Sequence, residues 1–368
     1  MGSTRRFLRQ YLRPRPDAID EREIAYRRGE ERLSATLYRP VGRDGPLPGW
    51  VLLHGLTYRG RSHASLRRYA RAVAAGGAVV MVPDIPEWRA LRIEPSVTVP
   101  TIRAAVLHLD AHEDTEPGRI AVMGFSFGAT QALVAAADPE LEGHLAGVAS
   151  WGGYCDPGRT FRFALTGEHE WDGAVHRAEP DPYGRWIMAS NYLTHVPGYE
   201  TSGRVADALR ELVLTAGRRN VPSRSMLADP LRARLRTALS RDDRRLYDLL
   251  APPPETDRDD EGWVRAAHEL ADALAGAAVR VDPLIDPRAM LPDVPVRTLV
   301  AHGRDDRLVP YTESLHLRRH LPEDACVGCT ITALFAHSGG TSPGLGVLGL
   351  GREVVRFGIV LRRILDLV

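Results

Sequence analysis

The chain has 368 residues, 44% of them hydrophobic, with 48 basic against 47 acidic side chains and a formal net charge of +1. At ~100–200 residues per domain this is two domains, or one large domain with an insertion, and the 26% charged fraction excludes disorder of the whole chain. No position is lysine, so every basic residue is arginine; that excludes P-loop, protein-kinase and Schiff-base chemistry, each of which needs an amine, and the near-zero net charge speaks against a nucleic-acid binder.

Residues 1–21 read as a basic N-terminal arm, with Arg5, Arg6, Arg9, Arg13 and Arg15 preceding the first acid, Asp17. Phe7, Leu8, Tyr11 and Leu12 share a helical face, which suits docking on the chain's own domain, with contact to an anionic surface as the alternative. The Thr4-Arg5-Arg6-Phe7-Leu8 run resembles a twin-arginine export signal, but further arginines interrupt any apolar core behind it. With no apolar stretch of ~20 residues and only three cysteines, the chain reads as a soluble, cytoplasmic protein without a membrane span. Cys326 and Cys329 match C-x-x-C, but they fall in or beside a strand, where residues three apart face opposite sides; a shared metal is not expected.

Strand-like runs at Arg32–Tyr38, Trp50–Leu53 and Ala78–Val82 alternate with helical patterns at Ala64–Ala74 and Val99–Leu109. Arg119–Met123 is a strand entering a glycine turn, Thr130–Ala137 a helix, and Leu145–Trp151 another buried strand. This rhythm predicts an α/β fold with a mostly parallel sheet covered by helices on both faces. It stops near Cys155. From 156 to 290 short amphipathic segments follow one another (Val205–Leu214, Pro230–Leu239, Trp263–Leu274), which predicts a mainly helical insertion. Strand character returns at Val296–Ala301 and Cys329–Leu334, and Glu353–Leu367 closes the chain as a docking helix. The core is thus expected over 22–155 and 291–368.

Gly124-Phe125-Ser126-Phe127-Gly128 is a G-x-S-x-G string in the setting it requires, after the strand Ile120–Met123 and before a helix from Ala129. Gly124 and Gly128 permit a tight elbow that exposes the Ser126 hydroxyl, and the helix start offers free N–H groups to developing negative charge. A serine needs a base. Among the thirteen histidines, His337 stands in a loop after the last strand. The orienting acid is expected between the two in sequence, at the end of the Thr298–Ala301 strand: Asp306, with Asp305 the runner-up and Asp156 a more distant alternative. Val51-Leu52-Leu53-His54-Gly55-Leu56 places a strand before a His-Gly turn, so the N–H groups of Leu56 and Phe127 are the candidate oxyanion donors. His54 is expected to support that turn.

The His-Gly turn, the G-x-S-x-G elbow, Gly303-Arg304-Asp305-Asp306-Arg307-Leu308-Val309-Pro310 and the late His337 occur in an order that resembles the α/β-hydrolase superfamily, in its serine esterase and dienelactone-hydrolase-like branch. The resemblance favours Asp306 as the acid. It also implies a cap at 156–290, entering after the strand that follows the nucleophile helix. Dienelactone hydrolases proper use cysteine, and the dehalogenase and epoxide-hydrolase branches aspartate; the serine here departs from both.

Together these residues lead to the expectation of a serine hydrolase cleaving a small-molecule carboxylic ester through an acyl-enzyme on Ser126, with no metal or organic cofactor. The same triad serves amide, peptide or thioester hydrolysis and acyl transfer, and a non-catalytic binding protein could keep the same fold. Tyr58, Trp151, Trp171, Tyr183 and Trp186 are candidate pocket or cap-contact residues, with ordinary core packing as the alternative.

Overall fold

The computed structural model describes residues 2–334 and 347–368. Its main sheet has eight strands: β1 (Ile19–Arg28), β2 (Glu31–Pro40), β3 (Leu47–Leu53), β4 (Val79–Pro83), β5 (Thr115–Phe125), β6 (Leu145–Trp151) and, after a small separate hairpin of β7 (Glu168–Trp171) and β8 (Ala174–Arg177), β9 (Arg297–Gly303) and β10 (Cys326–Thr332). They lie side by side as β1-β2-β4-β3-β5-β6-β9-β10. β2 runs antiparallel to both β1 and β4, and all other neighbours are parallel. This is the α/β-hydrolase fold anticipated from the order of the motifs.

The central strands are buried on both faces, and their alternate residues feed two separate cores. Val51, Leu53, Val122 and Val148 pack on one side against helices Pro95–Asp110 and Phe127–Ala136. Trp50, Leu52, Ala121, Met123 and Ala149 pack on the other, against helix Ala64–Gly77 and the C-terminal helix Val347–Leu365. Phe7 of helix Gly2–Leu12 is buried in this second core, edge-on to Tyr69, so the basic arm docks on its own domain. β1 begins at Ile19, inside the range read as arm. It went unrecognised because it is an edge strand with a largely charged sequence and few inward-facing apolar residues.

The segment between β6 and β9 is mainly helical, as expected, and its buried side chains (Trp186, Leu209, Leu212, Leu274) continue the first core. Several of its helices start the same way: Asp156, Asp181 and Asp229 each accept a backbone N–H at the helix start and are followed by proline at the first helical position. The β7–β8 hairpin is an element that the helical reading lacked. It turns through Asp172 and Gly173, both at positive φ (54° and 78°), the pair that a two-residue hairpin turn favours.

Cys326 and Cys329 lie on β10, where a register shift intervenes between Cys326 and Gly328, and all three cysteines are free thiols. Among the described residues no group of three or more His, Cys, Asp or Glu side chains converges as metal ligands, and no helix is long and apolar enough to cross a membrane.

Candidate active site

β5 ends at Phe125 and the next helix begins at Phe127, which leaves Ser126 alone to make the turn, at φ 58° and ψ −127°. A serine rarely adopts positive φ, and such strain costs about 1–3 kcal/mol. Its N–H is held by the Trp151 carbonyl at 2.9 Å. The flanking glycines are steric necessities: a Cβ on Gly124 would sit 2.0 Å from the Gly128 carbonyl oxygen, and one on Gly128 2.4 Å from that of His54. We expect Gly128→Ala to push helix Phe127–Ala136 off the end of β3 and to destabilise the fold by about 1–3 kcal/mol. Chemical denaturation reads this directly, with Gly173→Ala unsuitable as a control because of its positive φ and half-buried Gly203→Ala, whose added Cβ would meet nothing within 4 Å, suitable.

The end of β3 comes up beside Ser126. A Cβ on Gly55 would stand 3.1 Å from Ser126 Cβ and 3.6 Å from Oγ, so Gly55 faces the Ser126 side chain. The His54 ring fixes the Gly55–Leu56 peptide: Nδ1 lies 2.7 Å from the Gly55 carbonyl oxygen. A carbonyl can only accept, so Nδ1 carries the proton. In a trans peptide the N–H points opposite to the C=O, and the same contact therefore also sets the direction of the Leu56 N–H. His54 is buried, edge-on to Trp88, and Nε2 has no hydrogen-bond partner among the described residues.

Burial holds the His54 imidazole down to about 4, against 6.5 for a free histidine. Above pH 6.5 both folded and unfolded chains carry it neutral, and its contribution to stability is complete. As pH falls from 6.5 to about 4, the unfolded chain takes up a proton that the folded one refuses, which removes about 3 kcal/mol. Denaturation midpoints measured between pH 7 and 4 are expected to fall less in His54→Gln than in the parent.

The two adjacent aspartates after β9 are separated by burial. Asp305 is exposed, whereas Asp306 is 4% exposed. Asp306 Oδ1 accepts the N–H groups of Leu308 (2.8 Å) and Val309 (3.1 Å), and Oδ2 lies 3.4 Å from His302 Nε2. His302 is fully buried, with Nε2 on the Val309 carbonyl at 3.0 Å and Nδ1 against Ser314 Oγ at 2.6 Å; it braces the loop that carries Asp306, and the sequence alone does not signal this. Asp156, the distant alternative, is occupied otherwise: it caps helix Pro157–Thr166 and pairs with Arg159 and Arg288. His337 lies outside the described residues. The strand that leads to it is anchored by Glu353 of the C-terminal helix, which accepts both Thr332 Oγ1 and the Ala333 N–H at 2.9 Å.

The aromatic candidates divide. Trp186 is fully buried, its indole N–H on the Leu250 carbonyl at 3.0 Å, and Trp151 packs edge-on to Phe357 of the C-terminal helix on the opposite core; both occupy packing positions. Trp171 carries the Arg319 guanidinium 3.9 Å from its ring centre. Tyr58 and Tyr183 join the inserted segment to the β3 turn. Tyr58 is exposed and meets helix Gly203–Arg219 at Gly217 and Arg218, while the Tyr183 hydroxyl donates to the Leu56 carbonyl at 2.6 Å. Glu313, fully buried, accepts the N–H groups of Cys155 and Asp156 and pairs with Arg159. It ties the start of the insertion to the helix after the Asp306 loop, and nothing in its sequence context signals this.

No protein-family profile matches the chain, and no curated protein matches it in sequence. Solved structures do resemble it in fold. Brefeldin A esterase, a bacterial homologue of human hormone-sensitive lipase, aligns with 19% identity over 95% of this chain and 75% of its own, at a TM-score of 0.48. The esterase domain of a Rhodothermus marinus protein aligns with 14% identity over 93% and 96%, at 0.45. A dienelactone hydrolase-like promiscuous phosphotriesterase from metagenomic libraries aligns with 13% identity over 94% and 98%, at 0.44. The likeness is one of chain path.

Proposed function

We propose that this protein is a serine hydrolase that cleaves a carboxylic ester through an acyl-enzyme on Ser126. The observation that carries the reading is the conformation of Ser126, a non-glycine residue held at positive φ at the start of a helix, between glycines that admit no side chain and beside Gly55, where an added Cβ would stand 3.1 Å from its own. Strain of this kind persists where surrounding structure enforces it, and in this reading it serves to present the hydroxyl for attack.

In this reading His337 takes the proton from Ser126 Oγ as the oxygen attacks the ester carbonyl, and Asp306 holds the imidazole in the required tautomer and stabilises its charged form. The N–H groups of Leu56 and Phe127 bind the tetrahedral oxyanion. His337 then gives its proton to the leaving alcohol. Water, deprotonated by the same histidine, releases the acid and restores the serine. The inserted segment 156–290 serves as a cap that shields the site and shapes its pocket, with its Tyr183 facing the β3 turn and Tyr58 of that turn facing the cap.

The test is a panel of p-nitrophenyl esters of graded acyl length, with a matching thioester and anilide. Ester turnover above the anilide by orders of magnitude is the expected result. Preferential turnover of the anilide would make the protein an amidase with the same triad, and no turnover of any member would remove the hydrolase reading.

A further inference from the structure

The Leu56 N–H is only as useful to an oxyanion as the backbone that aims it, and that backbone follows a glycine. Gly55 has no Cβ to restrict its rotation, so the turn needs anchors on both sides of Leu56. His54 supplies one, on the Gly55 carbonyl. The other comes from outside the sheet: the Tyr183 hydroxyl donates to the Leu56 carbonyl at 2.6 Å, across 127 residues of sequence.

Tyr183 is itself held firmly. It stands in the first turn of helix Pro182–Tyr192, its backbone N–H on the capping Asp181 carboxylate at 2.9 Å. The Asp181 N–H in turn donates to the Arg307 carbonyl at 2.8 Å, within the loop of Asp306, and Gly184 packs beside Leu308. One helical turn of the insertion thus touches the β3 turn with a side chain and the acid loop with its backbone. Burial also pushes the Tyr183 phenol well above its ordinary value, so it remains a donor across any working pH.

We infer that Tyr183 is a positioning residue for oxyanion binding, so that the insertion, and not the sheet alone, sets the orientation of the Leu56 N–H beside Ser126. The inference rests on the hydrolase reading above. It makes the insertion part of the catalytic geometry: a state with the insertion displaced would lose the hydroxyl from Leu56 and with it the aim of one oxyanion donor.

The experiment compares the full-length parent with Tyr183→Phe, which removes a single oxygen, and with Tyr192→Phe as control. Tyr192 lies on the same helix, and its hydroxyl donates to the Ile93 carbonyl at 3.4 Å, away from Leu56. Two rates are measured on each: phosphonylation of Ser126 by a fluorophosphonate, and kcat per titrated active site on the best ester. Tyr183→Phe is expected to slow both by roughly tenfold, the worth of one hydrogen bond of ordinary strength, with KM within twofold of the parent and Tyr192→Phe unchanged. Thermal midpoints separate this from simple destabilisation, because a merely structural tyrosine would lower the midpoint while leaving the rate per titrated site intact. Parent-like rates in Tyr183→Phe would overturn the positioning role and leave the hydrolase reading standing. A parent chain that the fluorophosphonate does not modify would overturn both.

Discussion

Ser126→Ala is expected to lower ester turnover by about five to six orders of magnitude in kcat, with KM changed little and the fold intact. The magnitude follows from the way a triad acts as a unit: removing the nucleophile costs as much as removing all three members, and the residual rate comes from oxyanion binding and proximity alone. The fold should survive because alanine keeps the Cβ and gives up only the hydroxyl, and among the described residues no hydrogen bond of that hydroxyl holds the elbow; the backbone N–H, on the Trp151 carbonyl, does. Alanine retains the strain of the positive φ without adding to it. Circular dichroism and the denaturation midpoint should therefore match the parent while turnover vanishes. Parent-like turnover in the variant would place the nucleophile elsewhere.

The second large effect concerns the neighbouring aspartates. Asp306→Asn is expected to reduce kcat by about 10⁴-fold, since an asparagine amide in place of the carboxylate favours the wrong imidazole tautomer and gives no charge stabilisation. Asp305→Asn, one residue away, should stay within a few-fold of the parent. The contrast is set by solvent: Asp306 is buried among the Leu308 and Val309 N–H groups and faces His302, while Asp305 is exposed, where water screens its charge. The steady-state rates of the two variants on one ester check it. Part of the Asp306→Asn effect will appear as reduced stability, because an amide oxygen accepts the two loop N–H groups less strongly than a carboxylate. The ratio of rates is therefore taken per titrated active site.

How much of this could be read from the sequence depended on how local the determining physics was. The elbow was legible because its requirement is local: a strand, two glycines flanking the serine and a helix all fall within a few residues. The parallel sheet was legible because strands buried on both faces are short uninterrupted apolar runs, such as Leu145–Trp151. β1 was not, since an edge strand with charged residues on its open face carries too few apolar positions to stand out. The β7–β8 hairpin had a signal, Asp172-Gly173, but its strands of Glu168-His169-Glu170-Trp171 and Ala174-Val175-His176-Arg177 have no apolar alternation to go with it. The choice between Asp305 and Asp306 came from the likeness of the loop to a known motif. Burial now gives the two residues different surroundings, a property of the folded loop that no spacing rule contains. Least legible were the contacts between distant segments: Glu313 to Cys155, and Tyr183 to Leu56. They depend on where the insertion comes to rest, and neither residue sits in a recognisable pattern.

The central claim is that Ser126 is a nucleophile activated in place. Its most direct test is to treat the full-length protein with a fluorophosphonate, digest it and locate the adduct by mass spectrometry. The account predicts one modified residue, Ser126, labelled in the native protein and unlabelled after denaturation or in His337→Ala. An adduct on another residue, or no adduct on the folded protein, would contradict it.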